Sequence, residues 1–516
     1  MGLSVNTKKY ASIYIWQGLA FFLKIVSMFI VVPFLTKDPS TYGIYSICIS
    51  VTIFLGYADL GFLRSGQKFA SECYILNDRE GEMKYIGFGF FILIFVGVIF
   101  TIIFTLLSLS PELIIKDNLT EANRSVSSKL FFLLAFFTPF NLIMRLVSII
   151  FEIRLENYLC QRISLVGSLL IISSVLYFFR NNSYEIVNYF AFMQVVNLGV
   201  ILVCIVIAKK RYEYDFLRLI SFVKYDNIIY NSTKKLAYSS VYLMLSWILF
   251  YEFDSIAIGK ILGLQYVAYF SVAFVIPNFF RNIFSIIFSP FTIRANYFIA
   301  NLDESGLETF IVQVLTITAP IILFSTINIA FFSSHFITCW VGENFKSSIH
   351  LAIIFSLFFS FSFISFTVGL LLTAKLRVKE MNMISTIQPL LYWAGIMITI
   401  DRIGLLSFAY FKLFAILAGE FYYFTILSKY LNRSIYSTFI LIFRPIFFPL
   451  IILIILSVSA IWILPLEKSK VNLLIILLTS SGIILISCLV VYFNSVFLKK
   501  IVNQYCSWST LSKINT

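Results

Sequence analysis

Charge is what this sequence has least of. Only 12 % of its 516 residues are Asp, Glu, Lys or Arg, about half the ~25 % that keeps an ordinary soluble domain wetted. A water-soluble globule is excluded. Acids are scarcer still, with Asp and Glu at 25 against Lys and Arg at 39. The bases are not gathered into a groove that could follow a phosphate backbone; they lie in short connections between apolar runs, which excludes a nucleic-acid partner and marks topology instead. The seven cysteines, Cys48, Cys73, Cys160, Cys204, Cys339, Cys488 and Cys506, show no CxxC spacing, so neither a disulfide nor a metal site is expected. No GxSxG, HExxH or Walker A pattern occurs, which leaves nothing to build an enzyme on. Long loops are missing too. The longest outward connection, 110–128, falls short of the ~50 residues that a compact domain needs, so function must lie between the helices.

What is present is apolar bulk. Hydrophobic residues make up 60 % and aromatics 18 %, and mean hydropathy is +0.94. The sequence reads as an all-α polytopic membrane protein. About fourteen windows are long enough to span a bilayer, from one near 11–35 to one near 471–494. Lys8 and Lys9 precede the first run, from Tyr10 to Leu35, but that run is too long for a signal-peptide core and lacks a small-residue cleavage site. Alternate connections hold roughly two dozen Lys and Arg against about ten in the others, which places both termini in the cytoplasm and demands an even number of spans.

Sliding the chain by about 225 residues lays Tyr42-Gly-Ile-Tyr-Ser46 over Val267-Ala-Tyr-Phe-Ser271 and Gly81 over Gly306. Two halves of six spans with the same orientation follow, a parallel repeat. The division expected is an N-lobe over 1–208, a basic cytoplasmic linker over 209–236, a C-lobe over 237–428, and two further spans with a cytoplasmic tail over 429–516.

Four cations interrupt the apolar spans. In the stretch from Ser271 to Thr292, Ser271, Asn278, Arg281, Asn282, Ser285, Ser289 and Thr292 share an arc of roughly 100° on a helix. In the fourth span Thr138, Asn141, Arg145, Ser148 and Glu152 do the same. The first span adds Gln17, Lys24 and Ser27, and the twelfth Lys412, Gly419, Glu420 and Tyr423. A charge at mid-membrane costs at least ~3 kcal/mol, so something wet or anionic must face these stripes. Lys24, Arg145, Arg281 and Lys412 together could line a positive passage, two cations from each half. The alternative is internal pairing, such as Arg145 with Glu152 or Lys412 with Glu420. Glu252, Asp254 and Glu420 are candidates for H+ or Na+ coupling, against ion pairing or interfacial exposure. Prolines inside spans, at Pro33, Pro139, Pro277, Pro290, Pro320, Pro389 and Pro449, mark expected kinks.

The stretches Val32-Pro-Phe-Leu-Thr-Lys-Asp-Pro-Ser-Thr-Tyr-Gly-Ile-Tyr-Ser46, Ala58-Asp-Leu-Gly-Phe62, Asp254-Ser-Ile-Ala-Ile-Gly-Lys-Ile-Leu-Gly263 and Cys339-Trp-Val-Gly-Glu-Asn-Phe345 resemble, in order and spacing, the polysaccharide exporters of the MOP flippase superfamily, the O-antigen (Wzx-type) flippases. The resemblance implies a MATE-like two-lobe bundle in the bacterial inner membrane that flips an undecaprenyl-diphosphate-linked oligosaccharide by alternating access, working beside a polysaccharide polymerase and needing no cofactor. It also implies basic residues in a central cavity, and Lys24, Arg145, Arg281 and Lys412 are the positions that would supply them. Two spans beyond the twelve common among O-antigen flippases bring the lipid II and teichuronic-acid relatives into play. A multidrug antiporter of the same superfamily would need carboxylates where the first span offers Lys24, and an O-antigen polymerase would need a long periplasmic loop.

Overall fold

The computed structural model describes residues 26–116, 119–180, 183–375 and 377–495, with Trp16 and residues 18–20, 22–23 and 499 besides. Among them every regular element is helical. Ten helices are long and apolar enough to cross a membrane alone, and twelve if each of two bent pairs is one span. Two shorter apolar helices, α1 (Val26–Leu35) and α2 (Pro39–Leu55), fall in the first two expected windows. The protein is a multi-pass membrane protein.

Two compact units divide the chain at Ala268 and Tyr269. The first holds α1, α2, α3 (Phe62–Ile75), α4 (Arg79–Leu109), α5 (Glu121–Ile153), α6 (Tyr158–Phe178), α7 (Ile186–Tyr212), the short α8 (Phe216–Ser221), α9 (Asn227–Trp247), α10 (Asp254–Ile261) and the start of α11 (Leu264–Ala300). The second holds the rest of α11, α12 (Glu304–Trp340), α13 (Ser347–Leu357), α14 (Ser362–Ala374), α15 (Val378–Ile403), α16 (Leu406–Tyr430), α17 (Ile435–Ile461) and α18 (Lys470–Asn494). The seventh span, α9 with α10, thus packs in the first unit, whereas the expected lobe boundary lay in the linker ahead of it.

The internal repeat is visible in the backbone. Pro39 and Leu264 open α2 and α11, and Arg79 and Glu304 open α4 and α12, each pair 225 residues apart. The turns before α4 and α12 are built alike. Asn77 and Leu302 take left-handed conformations at φ 59° and 55°, and the next amides, of Asp78 and Asp303, donate back to Cys73 and Phe298 carbonyls at 2.9 and 3.0 Å. That closes the preceding helix with a left-handed residue. Each aspartate then caps the following helix, accepting from the Gly81 or Gly306 amide at 2.8 Å. A Cβ on Gly81 or Gly306 would stand 2.2 or 2.1 Å from Oδ2, the other oxygen of the capping carboxylate, which is why both are glycine.

The first unit is stapled at one end by charge. Glu82, fully buried on α4, accepts from Arg154 Nη2 at 2.8 and 3.1 Å and from Arg79 Nη1 at 2.9 Å. The Arg154 guanidinium also donates to Ile150 O and lies 5.0 Å from the Tyr212 ring. Arg211 and the Tyr212 hydroxyl both reach Glu156, at 2.6 and 2.7 Å, so the ends of α4, α5 and α7 are tied together. Burial raises the Tyr214 phenol well above its ordinary range, which keeps the ring under Arg79, 4.4 Å away, neutral. Gly43 is where α2 meets the start of α11. A Cβ there would lie 2.2 Å from the Leu264 carbonyl oxygen, a backbone atom that cannot rotate aside. Gly43→Ala is expected to cost about 1–3 kcal/mol, as overpacking does, and to lower the melting temperature of purified protein in a tryptophan-fluorescence scan.

The second unit is a stack of aromatic rings. Phe270, Phe274, Phe280, Phe284 and Phe288 of α11 are buried; Phe280 stacks on Phe284, and the other four pack edge-on or stacked against Phe355, Phe359 and Phe366 of and between α13 and α14. The two terminal spans dock on α12 through one amide: Asn328 donates to Ser457 Oγ of α17 at 3.0 Å and accepts from Ser480 Oγ of α18.

The bends were expected at prolines, and the two that break spans by more than 40° fall elsewhere. One, of 47°, separates Ser240–Glu252 from Asp254–Ile261, and the other, of 45°, separates α13 from α14. Pro139, Pro320, Pro389, Pro445 and Pro449 sit inside helices that continue through them. A proline removes one amide donor, which neighbouring turns absorb. A π-turn over Ile248–Glu252 shifts the whole register, and π-turns frequently lie at functional sites.

Candidate functional site

Each unit holds a stripe cation within its bundle, half-buried in the first and fully buried in the second. In the first it is Arg145, on the α5 stripe. Its Nη1 donates to Asp59 Oδ1 and to the Leu55 carbonyl, both at 3.2 Å. α2 ends at Leu55, whose carbonyl takes the Ala58 amide at 3.2 Å and keeps a second lone pair for the guanidinium, so the end of one helix supplies half the cradle. Asp59 is 1 % exposed and Arg145 25 %. Among the described residues Asp59 Oδ2 has no hydrogen-bond partner, so the carboxylate is held by one oxygen only. Along the same stripe Glu152 accepts from Gln67 Nε2 of α3 at 3.0 Å, and Asn141 donates to Gln194 of α7 at 3.3 Å. Arg64 is a further cation within electrostatic reach of both Arg145 and Glu152. Ser148 lines a polar cavity of about 190 Å³ with Gln161 and Ser164 of α6. The internal pair expected for Arg145 was Glu152. The ion pair formed is with Asp59, because Asp59, at the end of the second span, comes to the guanidinium from α2's side while Glu152 is taken by Gln67.

In the second unit the buried cation is Lys412 of α16, which is 0 % exposed. Its ammonium stands over three rings, 4.7 Å from Tyr392, 4.9 Å from Phe274 and 5.9 Å from Phe270. Ring faces carry negative potential, worth up to about 2 kcal/mol for a desolvated cation. Glu420 lies eight residues along the same helix, roughly 12 Å away, and is engaged elsewhere: it accepts from the Ser365 amide at 3.1 Å. Ser365 lies near the start of α14, just past the break.

The other two coupling candidates also sit at a break. Glu252 closes the π-turn and Asp254 opens α10, on either side of the 47° bend, and both are buried. An acid in the first turn of α10 complements that helix's dipole. Breaking a helix inside a bilayer bares donors that lipid cannot satisfy, and at the α13 to α14 break the carboxylate supplies the acceptor.

On α11 the Phe face is buried in its own unit, while Asn278, Arg281 and Asn282 are only half-buried and Ser285 is exposed. Asn282 donates to the Asn278 carbonyl at 2.7 Å. Lys24 and Gln17 lie outside the described residues, as does any pairing of Lys24 with another group. No group of three His, Cys, Asp or Glu side chains that could hold a metal gathers among the described residues. Sequence reasoning missed Asp59 as a partner, along with Gln67 and Gln194; an acid at the end of an apolar span, at the depth of Arg145, was the available signal for the first.

No family model matches the sequence, and no curated protein matches it either. Solved structures do match in fold. The lipid II flippase MurJ in an inward closed conformation superposes with a TM-score of 0.67 at 14 % identity, over 93 % of this chain and 99 % of its own. The fold is that of MurJ and the MATE transporters. An inward-facing multidrug-resistance MATE transporter of the MOP superfamily gives 0.60 at 14 % identity, over 82 % of this chain and 96 % of its own. A MOP-superfamily transporter from Pyrococcus furiosus, described as having a binding pocket of reverse polarity, gives 0.55 at 12 %, over 83 % and 97 %. The flippase covers 93 % of this chain where the multidrug transporter covers 82 %, and that difference is the size of the α17–α18 hairpin.

Proposed function

We propose that this protein is a flippase that carries an undecaprenyl-diphosphate-linked oligosaccharide, a repeat unit of O-antigen or a related surface polysaccharide, across the bacterial inner membrane by alternating access, with both termini in the cytoplasm. The observation that carries the reading is a stripe cation held within each unit, Arg145 half-buried in a cradle of Asp59 and Leu55 O and Lys412 fully buried among three rings. Intramembrane cations cost ~3 kcal/mol each or more, and a diphosphate repays that through charge-assisted hydrogen bonds. A guanidinium bound along one edge keeps other N–H donors for an anion. Arg281 with Asn278 and Asn282, and Lys24 with Gln17, would extend the basic and amide-rich lining toward the glycan, with Asn141 beside Arg145. Glu252, Asp254 and Glu420 would couple transport to H+ or Na+, since they sit where spans break and could be re-partnered on bending. A neighbouring polysaccharide polymerase would take the product.

A lipid II or teichuronic-acid flippase is the second reading, favoured by the 99 % coverage of MurJ including the length of two spans beyond the MATE match. Export of cationic drugs fits less well, because buried cations repel such cargo. The test is surface-glycan display, read by lectin or antiserum, in a strain lacking the gene and complemented with variants. The double variant Lys24→Ala, Arg281→Ala is expected to reach the membrane at normal levels and lose display at least tenfold. Normal display from that variant would sink the cationic passage. Unchanged glycan with failing cell-wall synthesis would favour lipid II, and unchanged glycan with heightened dye sensitivity would favour the drug antiporter.

A further inference from the structure

We propose that the groove between α6 and α7 is a binding site for an anionic phospholipid, one acyl chain along the groove and the phosphate at Arg162. The groove measures about 780 Å³. Its walls are apolar side chains of both helices, among them Val166, Leu170 and Val203, all exposed, as suits a surface that meets hydrocarbon rather than water. Two glycines shape it. Gly167 faces α7 at close quarters, where an added Cβ would meet Val200 at 2.8 Å, whereas a Cβ on Gly199 would meet nothing within 4 Å. Gly199 therefore leaves room that the packing of the two helices does not use.

Charge picks the occupant. At one end the Arg162 guanidinium lies 4.9 Å over the Trp16 ring, and both residues line the groove. Trp favours the membrane interface, so this end sits at headgroup depth. Ile207 lines the same groove, and Lys209 and Lys210 follow it in the last turn of α7. Basic groups between membrane helices at headgroup depth select anionic lipids. An apolar trough that ends in an arginine and an indole, with two lysines in the turn beyond, matches a phosphate on a hydrocarbon tail. A zwitterionic lipid would match the trough and not the end. The inference is independent of the transport reading, since every residue in it lies outside the α5 and α16 stripes.

Native mass spectrometry of the purified, delipidated full chain tests it, with phosphatidylglycerol and phosphatidylcholine added in turn. Phosphatidylglycerol is expected to be retained over phosphatidylcholine. Arg162→Gln should cut that preference on the order of 5-fold, the share of one basic residue near a charged headgroup. Gly199→Leu fills the open space and should lower retention of both lipids; its melting temperature should stay at or above wild type, since leucine is the better helix former. Equal retention of the two lipids, or a preference untouched by Arg162→Gln, overturns the proposal. So does displacement of phosphatidylglycerol by a polyprenyl phosphate, which would make the groove a carrier-lipid site, or a dimer whose formation excludes lipid.

Discussion

Arg145→Ala is expected to abolish glycan display and to destabilise the first unit by about 3 kcal/mol, the lower end of what breaking a buried pair costs. The low end applies because Arg145 is a quarter exposed while Asp59 is 1 % exposed; the loss comes from the carboxylate left behind, not from the guanidinium removed. Asp59 already has one oxygen without a hydrogen-bond partner among the described residues. Taking away Arg145 and its bond at 3.2 Å would strand the other. The double variant Asp59→Ala, Arg145→Ala should regain most of the stability, since no charge is then buried alone, but none of the transport. Thermal unfolding and display, measured on wild type, Arg145→Ala and the double variant, separate the two roles. If the double variant transports normally, the pair is a strut and the cation reading of α5 fails.

Lys412→Met is the second large effect, and it falls on transport while stability stays nearly unchanged. Burying an ammonium costs ~3 kcal/mol, which ring faces at 4.7 to 5.9 Å return at about 0.5–2 kcal/mol each. The terms nearly cancel. Methionine fills a similar volume without the charge, so stability should change by no more than about 1 kcal/mol while transport falls tenfold or more. Tyr392→Leu should lower stability, because it removes the ring that lies nearest the ammonium of the three, at 4.7 Å. A Lys412→Met protein that unfolds, or one that transports at wild-type rate, refutes the assignment.

Most of the architecture could be read from residue spacing. Hydropathy windows located the spans, and the 225-residue shift that aligned Gly81 with Gly306 met the same capped turn twice in the backbone. A helical wheel gave the azimuth of Arg145 and Arg281 but not their partners, since a period describes one helix and a salt bridge needs two. Asp59 stands in the sequence as part of the Ala58–Phe62 stretch; that it reaches α5 depends on how α2 and α5 pack. The bends were misplaced for a similar reason. Pro320 and Pro389 are local signals that tertiary packing overrode, whereas Phe253 and the Phe358–Phe361 turn carry no breaker residue and bend because of what surrounds them. Asn328 gave no sign at all, being one amide in an apolar run whose two partners lie more than a hundred residues ahead.

That last separation has a consequence in time. Ser457 follows Asn328 by 129 residues and Ser480 by 152. At about 5–20 residues per second, α12 waits roughly 6–30 s in the bilayer before either hydroxyl emerges. Throughout that interval the Asn328 amide must be sheltered by something other than its final partners, whether water, a neighbouring helix or the insertion machinery. The emergence of α18, not the completion of the twelfth span, is the moment at which the second unit can close.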